Sequence, residues 1–181
     1  MRKELKKVWV LAIAIFVASA TVATASAQTY YNATYYLSGD RADGKPPFSG
    51  GPGHELRIMY TEPKESSADV FVPYHSEVVW IAYNTTGEYP AGDWVGHIWK
   101  YPAWVGCRVS IGVFDNETKT FTPYGSTEIG SGWRNDFVIH ADDFTVGENQ
   151  YLAFAVYNPW FWLGVVTWKG VSYVSTPTLP A

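Results

Sequence analysis

Four histidines are where chemistry would have to begin in this chain: His54, His75, His97 and His140. An imidazole beside a carboxylate can serve as a general base, and beside a hydroxyl or thiol it can activate a nucleophile. Only His140-Ala141-Asp142-Asp143 crowds an imidazole with two carboxylates, and a strand end running into a solvated turn accounts for it equally well. A hydrolase would need His140 with Asp142 or Asp143, or His97 with Asp93, to line a cleft. The sequence has no Gly-x-Ser-x-Gly elbow, His-Glu-x-x-His, phosphate loop or Cys-x-x-Cys pair. Catalysis is therefore not expected.

Hard oxygen ligands of the kind calcium uses occur in two places, Asp40 with Asp43 and Asp142 with Asp143. Neither follows the spacing of a calcium loop, so a structural calcium is the one cofactor the sequence allows and no other is expected. Three Asn-x-Thr sequons begin at Asn32, Asn84 and Asn116 and would serve as glycosylation acceptors in a host that uses them.

Aromatic residues make up 17% of the chain, and they are the remaining means of binding. "GDWVGHIWKYPAW" holds Trp94, Trp99, Tyr101 and Trp104 among glycines and a proline. This stretch reads as an irregular loop or two short strands, with those rings exposed as a platform. "NPWFWLGVVTWKG" reads as a central strand with aromatic or aliphatic cover on both faces, including Trp160, Trp162 and Trp168. The competing reading leaves one of its faces exposed as a stacking surface.

Short β-branched and aromatic runs must position these residues. They fall at 29–37, 55–60, 68–72, 77–83, 104–114, 136–140, 151–157 and 161–168, separated by Gly, Pro, Asn and Asp clusters. No window sustains a 3.6-residue period and no internal repeat is evident, so the expectation is an all-β, two-sheet antiparallel sandwich of residues 28–181. In "VGCRVSIGV", Val105, Cys107, Val109, Ile111 and Val113 share one parity, which predicts a buried, unpaired thiol. "VFDNETKTFTP" reads as a hairpin turning at Asp115-Asn116-Glu117. The segment 38–53 reads as a long loop.

A basic start, an apolar run from Val8 to Ala20 and small residues up to Ala27 predict a secretory leader over 1–27. Removing it takes away four basic residues and one acidic residue, shifting the net charge from −4 to −7. An acidic domain without basic runs argues against nucleic acid as partner. No second apolar span suggests an anchor, so the mature domain is expected outside the cell or at its surface.

The segment "STEIGSGWRNDFVIHADDFTVGENQYLAFAVYNP" (126–159) resembles carbohydrate-binding-module-like β-sandwich domains of secreted prokaryotic surface proteins. The resemblance implies a jelly roll with any ligand on the concave sheet face or the end loops, and it assigns no binding residue. The expectation is thus a non-catalytic extracellular sandwich acting by surface contact, with a polysaccharide or cell-surface glycan, or copies of itself, as partner. The alternative is a subunit of a surface layer or filament that donates "QTYYNATYYL" to a neighbour's sheet.

Overall fold

The computed structural model describes residues 29, 32–42, 55–65, 69–160 and 162–178. The leader 1–27, His54 and the calcium candidate Asp43 lie outside the described residues. The strands are β1 (Thr34–Arg41), β2 (Glu55–Tyr60), β3 (Val70–Val72), β4 (Ser76–Ala82), β5 (Gly87–Tyr89), β6 (Gly92–Tyr101), β7 (Cys107–Asp115), β8 (Thr120–Ile129), β9 (Arg134–Ala141), β10 (Phe144–Val146), β11 (Gln150–Asn158), β12 (Leu163–Val166) and β13 (Tyr173–Ser175). A 3-10 turn at Trp168–Gly170 is the one helical element among the described residues, and no helix there could cross a membrane. The all-β expectation holds.

Pairing runs in the order β3-β12-β6-β13-β1-β2-β4-β11-β7-β8, with β9 on the other edge of β6 and β5–β10 a separate pair. β2 and β4 pair in parallel, and a parallel bridge joins Thr29 to Glu88 of β5; the other strand pairs among the described residues are antiparallel. Alternation along each strand turns this ribbon into two packed layers. In β6, Trp94, Gly96, Ile98 and Lys100 face inward while Asp93, Val95, His97, Trp99 and Tyr101 face outward. Trp94 and Ile98, with Phe137 and Ile139 of β9, share one core with Trp80 of β4, Phe154 of β11 and Ile111 of β7. Phe137 stacks on Phe154 across the layers, with ring centroids 5.7 Å apart.

The stretch 92–101 is one ten-residue strand, which corrects the expectation of an irregular loop. Gly96 breaks neither pairing nor cover, because the ring of Phe137, its cross-strand partner, lies where a Cβ would stand. As in any single strand, Trp94 and Trp99 face opposite ways, and Trp94 is buried between Tyr89 and Phe144.

The two-sided strand exists, but elsewhere. β4 and β11 bury Trp80 and Phe154 on one face and Val79, Ile81, Ala153 and Ala155 on the other. β12 is only four residues long, and Trp160, Trp162 and Trp168 are 58%, 44% and 51% exposed. Asn158 explains the shift. Its Nδ2 donates to the Val72 carbonyl at 2.9 Å, and its Oδ1 accepts from the Trp160 N–H at 3.0 Å. The buried amide ends β11 and turns the chain, so the indoles fall on the connections flanking a short strand.

Cys107 is free and buried as expected, and burial pushes its thiol up to about 12. The 115–119 hairpin also stands. Asp115 Oδ1 accepts from the N–H groups of Glu117 (2.9 Å) and Thr118 (2.8 Å), closing an Asx turn between β7 and β8. β1 starts at Thr34 and is paired on both edges within its own chain, to β13 and to β2.

Candidate functional site

Because β6 and β9 pair in register, the outward residues form a ladder of four rungs. Asp93 faces His140, Val95 faces Val138, His97 faces Asp136 and Trp99 faces Arg134. The first and third rungs are hydrogen-bonded pairs: His140 Nδ1 lies 2.5 Å from Asp93 Oδ1, and His97 Nδ1 lies 2.6 Å from Asp136 Oδ1. On the fourth rung the Arg134 guanidinium sits 4.1 Å from the centre of the Trp99 ring. His97 also stacks on Tyr173 of β13, at 6.1 Å. Val95, Gly96, Asp136, Phe137, Val138 and Tyr173 line a shallow open depression between the two His–Asp rungs.

Asp93-Trp94-Val95-Gly96-His97 and Asp136-Phe137-Val138-Ile139-His140 are the same pattern written twice, Asp-aromatic-Val-x-His. Antiparallel pairing relates the copies by a local two-fold axis through the Val95–Val138 rung. The expected partnerships are therefore replaced: His140 pairs with Asp93, not with Asp142 or Asp143, and His97 pairs with Asp136, not with Asp93. The five-residue repeat was the signal that could have found this site.

In each pair the carboxylate occupies Nδ1, the way a carboxylate orients an imidazole that serves as a general base. Several hydroxyls are instead paired with one another, Thr34 with Ser175 and Ser110 with Ser126. The thiol of Cys107 is sealed in the core. Among the described residues, the side-chain hydrogen bond of each imidazole of the rungs is to a carboxylate.

A second cluster lies at the end of β6. Tyr101 covers Gly164 of β12, and Trp162 meets both Tyr101 (5.7 Å) and the exposed Phe71 (6.1 Å). Burial, with the charge of Asp69 and a hydrogen bond to it, raises the Tyr101 phenol. Beyond the strand, Trp104 and Trp133 stand on loops and are 68% and 62% exposed. Buried Lys100 fixes both loops: its Nζ donates to the carbonyls of Val105 (2.5 Å) and Gly132 (3.1 Å). Burial lowers its ammonium, and the two carbonyls offset part of that cost. Of the expected platform, Trp104 is exposed, Trp99 and Tyr101 are half-buried on the outward face of β6, and Trp94 is a core residue.

Of the calcium candidates, Asp40, Asp142 and Asp143 are described. Asp40 Oδ2 accepts from the Tyr60 hydroxyl at 2.8 Å. Burial and this contact push the Tyr60 phenol up to about 12. Asp142 and Asp143 are exposed, and no group of three or more metal-binding side chains occurs among the described residues. Asn32 and Asn84 are exposed at positive φ, and Asn116 accepts from Lys119 Nζ at 2.7 Å.

No protein-family model matches the sequence, and no protein of curated function matches it. Solved structures do share the fold. An α-amino acid ester hydrolase superposes over 82% of this chain and 36% of its own, with a TM-score of 0.56 at 9% identity. A CocE/NonD family hydrolase from Staphylococcus aureus superposes over 82% and 37%, with a TM-score of 0.54, also at 9% identity. The chain thus spans little more than a third of either hydrolase. At this identity the likeness defines a class of fold, an all-β two-layer unit also found as part of hydrolases. It overturns the expectation of a glycan-binding surface module, since both of these structures sharing the fold are hydrolases. The donor-strand alternative falls with it, because β1 already has a neighbour on each edge.

Proposed function

We propose that this chain is the β-sandwich component of an exported ester-hydrolysing system, docked on a catalytic unit through the aromatic end of β6. The observation that carries this reading is the fold shared with about a third of two hydrolases, in a chain whose two outward imidazoles are each bonded to a carboxylate. Trp104, Trp133, Trp162, Tyr101 and the Trp99–Arg134 pair supply the residue types that dominate protein–protein contacts. Lys100 holds two of the indoles on braced loops, which lowers the ordering cost of docking. Jelly-roll order of the strands and export by the 1–27 leader belong to the same reading. They are supported by the crossover pairings of β6 and β4, and by the basic-then-apolar start.

Immobilised wild-type protein is expected to retain amino-acid-ester hydrolysing activity from its source's culture fluid and to show none alone. A Trp104→Ser, Trp133→Ser, Trp162→Ser triple variant should retain none. If the purified chain itself hydrolyses esters and His140→Ala abolishes this, the chain is the enzyme and the docking reading is wrong. Equal retention by both proteins would also sink it.

A further inference from the structure

We infer that the outer face of β6 and β9 is a homodimer interface, in which two copies of the Asp-aromatic-Val-x-His ladder lie face to face. The face shares its Trp99–Arg134 rung with the aromatic end described above, and the inference is drawn from the Asp93–His140, Val95–Val138 and His97–Asp136 rungs alone. Four charged or chargeable groups mark the corners of a rectangle: Asp93 and His140 at one end, His97 and Asp136 at the other. Like groups sit on diagonals. The rectangle is roughly 13 Å along the strands and about 5 Å across.

Such a checkerboard is complementary to itself. Turning a second copy over about an axis along the strands sets Asp93 against the second copy's His140 and His97 against its Asp136. Turning it about the perpendicular axis sets Asp93 against His97 and Asp136 against His140. Either two-fold puts every carboxylate opposite an imidazole, as an isologous dimer requires.

The groups have capacity left for this contact. Within the chain each imidazole uses Nδ1 and each aspartate Oδ1. The side chains of His140, Asp93 and Asp136 are 83%, 61% and 90% exposed, and that of His97 is 19% exposed. An imidazole held between two carboxylates, one from each copy, has an acceptor facing each ring nitrogen. At the centre stand Val95 and Val138, 44% and 42% exposed although each lies mid-strand. Isolated in water, that apolar rung gains nothing; opposite its own copy, it is covered. β9 and β6 pair over eight residues, about 27 Å, and β13 adds three residues beside Val95–His97, which makes this a small contact of the weak, reversible class.

Sedimentation of the full protein over a concentration series tests this. Wild type should show a monomer–dimer equilibrium. Replacing His97→Asp and His140→Asp makes the face wholly acidic, and Asp93→Lys with Asp136→Lys makes it basic. Each double variant should dimerise at least about tenfold more weakly, and an equimolar mixture should restore dimers containing one of each. A wild type that stays monomeric, a dimer untouched by both variants, or a mixture that forms no mixed dimer would each overturn the inference. If the variants do not fold, diethyl pyrocarbonate mapping of the wild type decides instead. His97 and His140 should be protected at high concentration and reactive on dilution, and concentration-independent reactivity refutes the dimer.

Discussion

Two tryptophans that share one core carry opposite hydrogen-bond balances. Trp80 Nε1 donates to the Ser38 carbonyl at 2.8 Å, whereas the buried Trp94 Nε1 has no partner. Trp94 keeps its place through ring contacts with Phe144 at 5.9 Å and Tyr89 at 5.8 Å. Replacing each by Phe removes similar volume, but Trp80→Phe strands a buried carbonyl while Trp94→Phe deletes an unsatisfied donor. Trp80→Phe should therefore cost more by about 1–2 kcal/mol in urea denaturation; a larger loss for Trp94→Phe would contradict this assignment. Lys100→Ala should cost about 2–4 kcal/mol, since it leaves a cavity and unpairs the Val105 carbonyl. Its effect should be local as well. The N–H groups of Val105 and Gly132, bonded to Pro102 and Ala103 in the braced loops, should exchange faster in the variant. Unchanged exchange there would remove Lys100 as the brace.

Strands that alternate cleanly could be read from their residues. The Val105–Val113 parity placed Cys107 inward, and the run 55–60 coincides with β2. β6 was not legible as one strand, because Gly96 and the following Pro102 look like breaks when seen alone. Only the pairing to β9 shows Phe137 covering the glycine. β5, β10 and β13, each three residues long, carry too few side chains to announce a period. Glycine–aromatic rungs predict a specific vulnerability. A Cβ on Gly164 would lie 2.2 Å from the Tyr101 ring, so Gly164→Ala should displace that ring and cost about 1–3 kcal/mol. The companion Gly164→Ala, Tyr101→Ala variant should cost less than the two single changes added together. The β7–β8 turn has a different signature. Bonds from Thr118, Gln150 and Glu117 hold the Asp115 carboxyl down at about 2. Its folded value is depressed, so its contribution is present above about pH 4 and is lost as pH falls towards 2. Thermal melts of Asp115→Asn should therefore show a shallower decline than wild type across that interval.

At the scale of the whole molecule, the choice between donated strand and integral strand was beyond the sequence. An alternating Tyr-rich segment pairs equally well with its own sheet or a neighbour's, and only long-range register separates the two. Here β1 joins β13 to β2, so it links the β6–β9 half of the ribbon to the β4–β11–β7 half. Its inward residues Tyr35 and Leu37 are buried in the shared core, and the Ser38 carbonyl receives the Trp80 N–H. Deleting 34–41 would open two sheet edges and remove part of the core at once. The expected product is an unfolded chain, with lost far-ultraviolet strand signal and no cooperative urea transition, instead of a folded body awaiting a strand. Adding a synthetic peptide of residues 34–41 should restore the transition only at high peptide concentration, because the closure entropy of the intact chain is gone. A deletion protein that melts cooperatively without peptide would show that the two halves hold together without β1. The continuous pairing order would then not be what stabilises this fold.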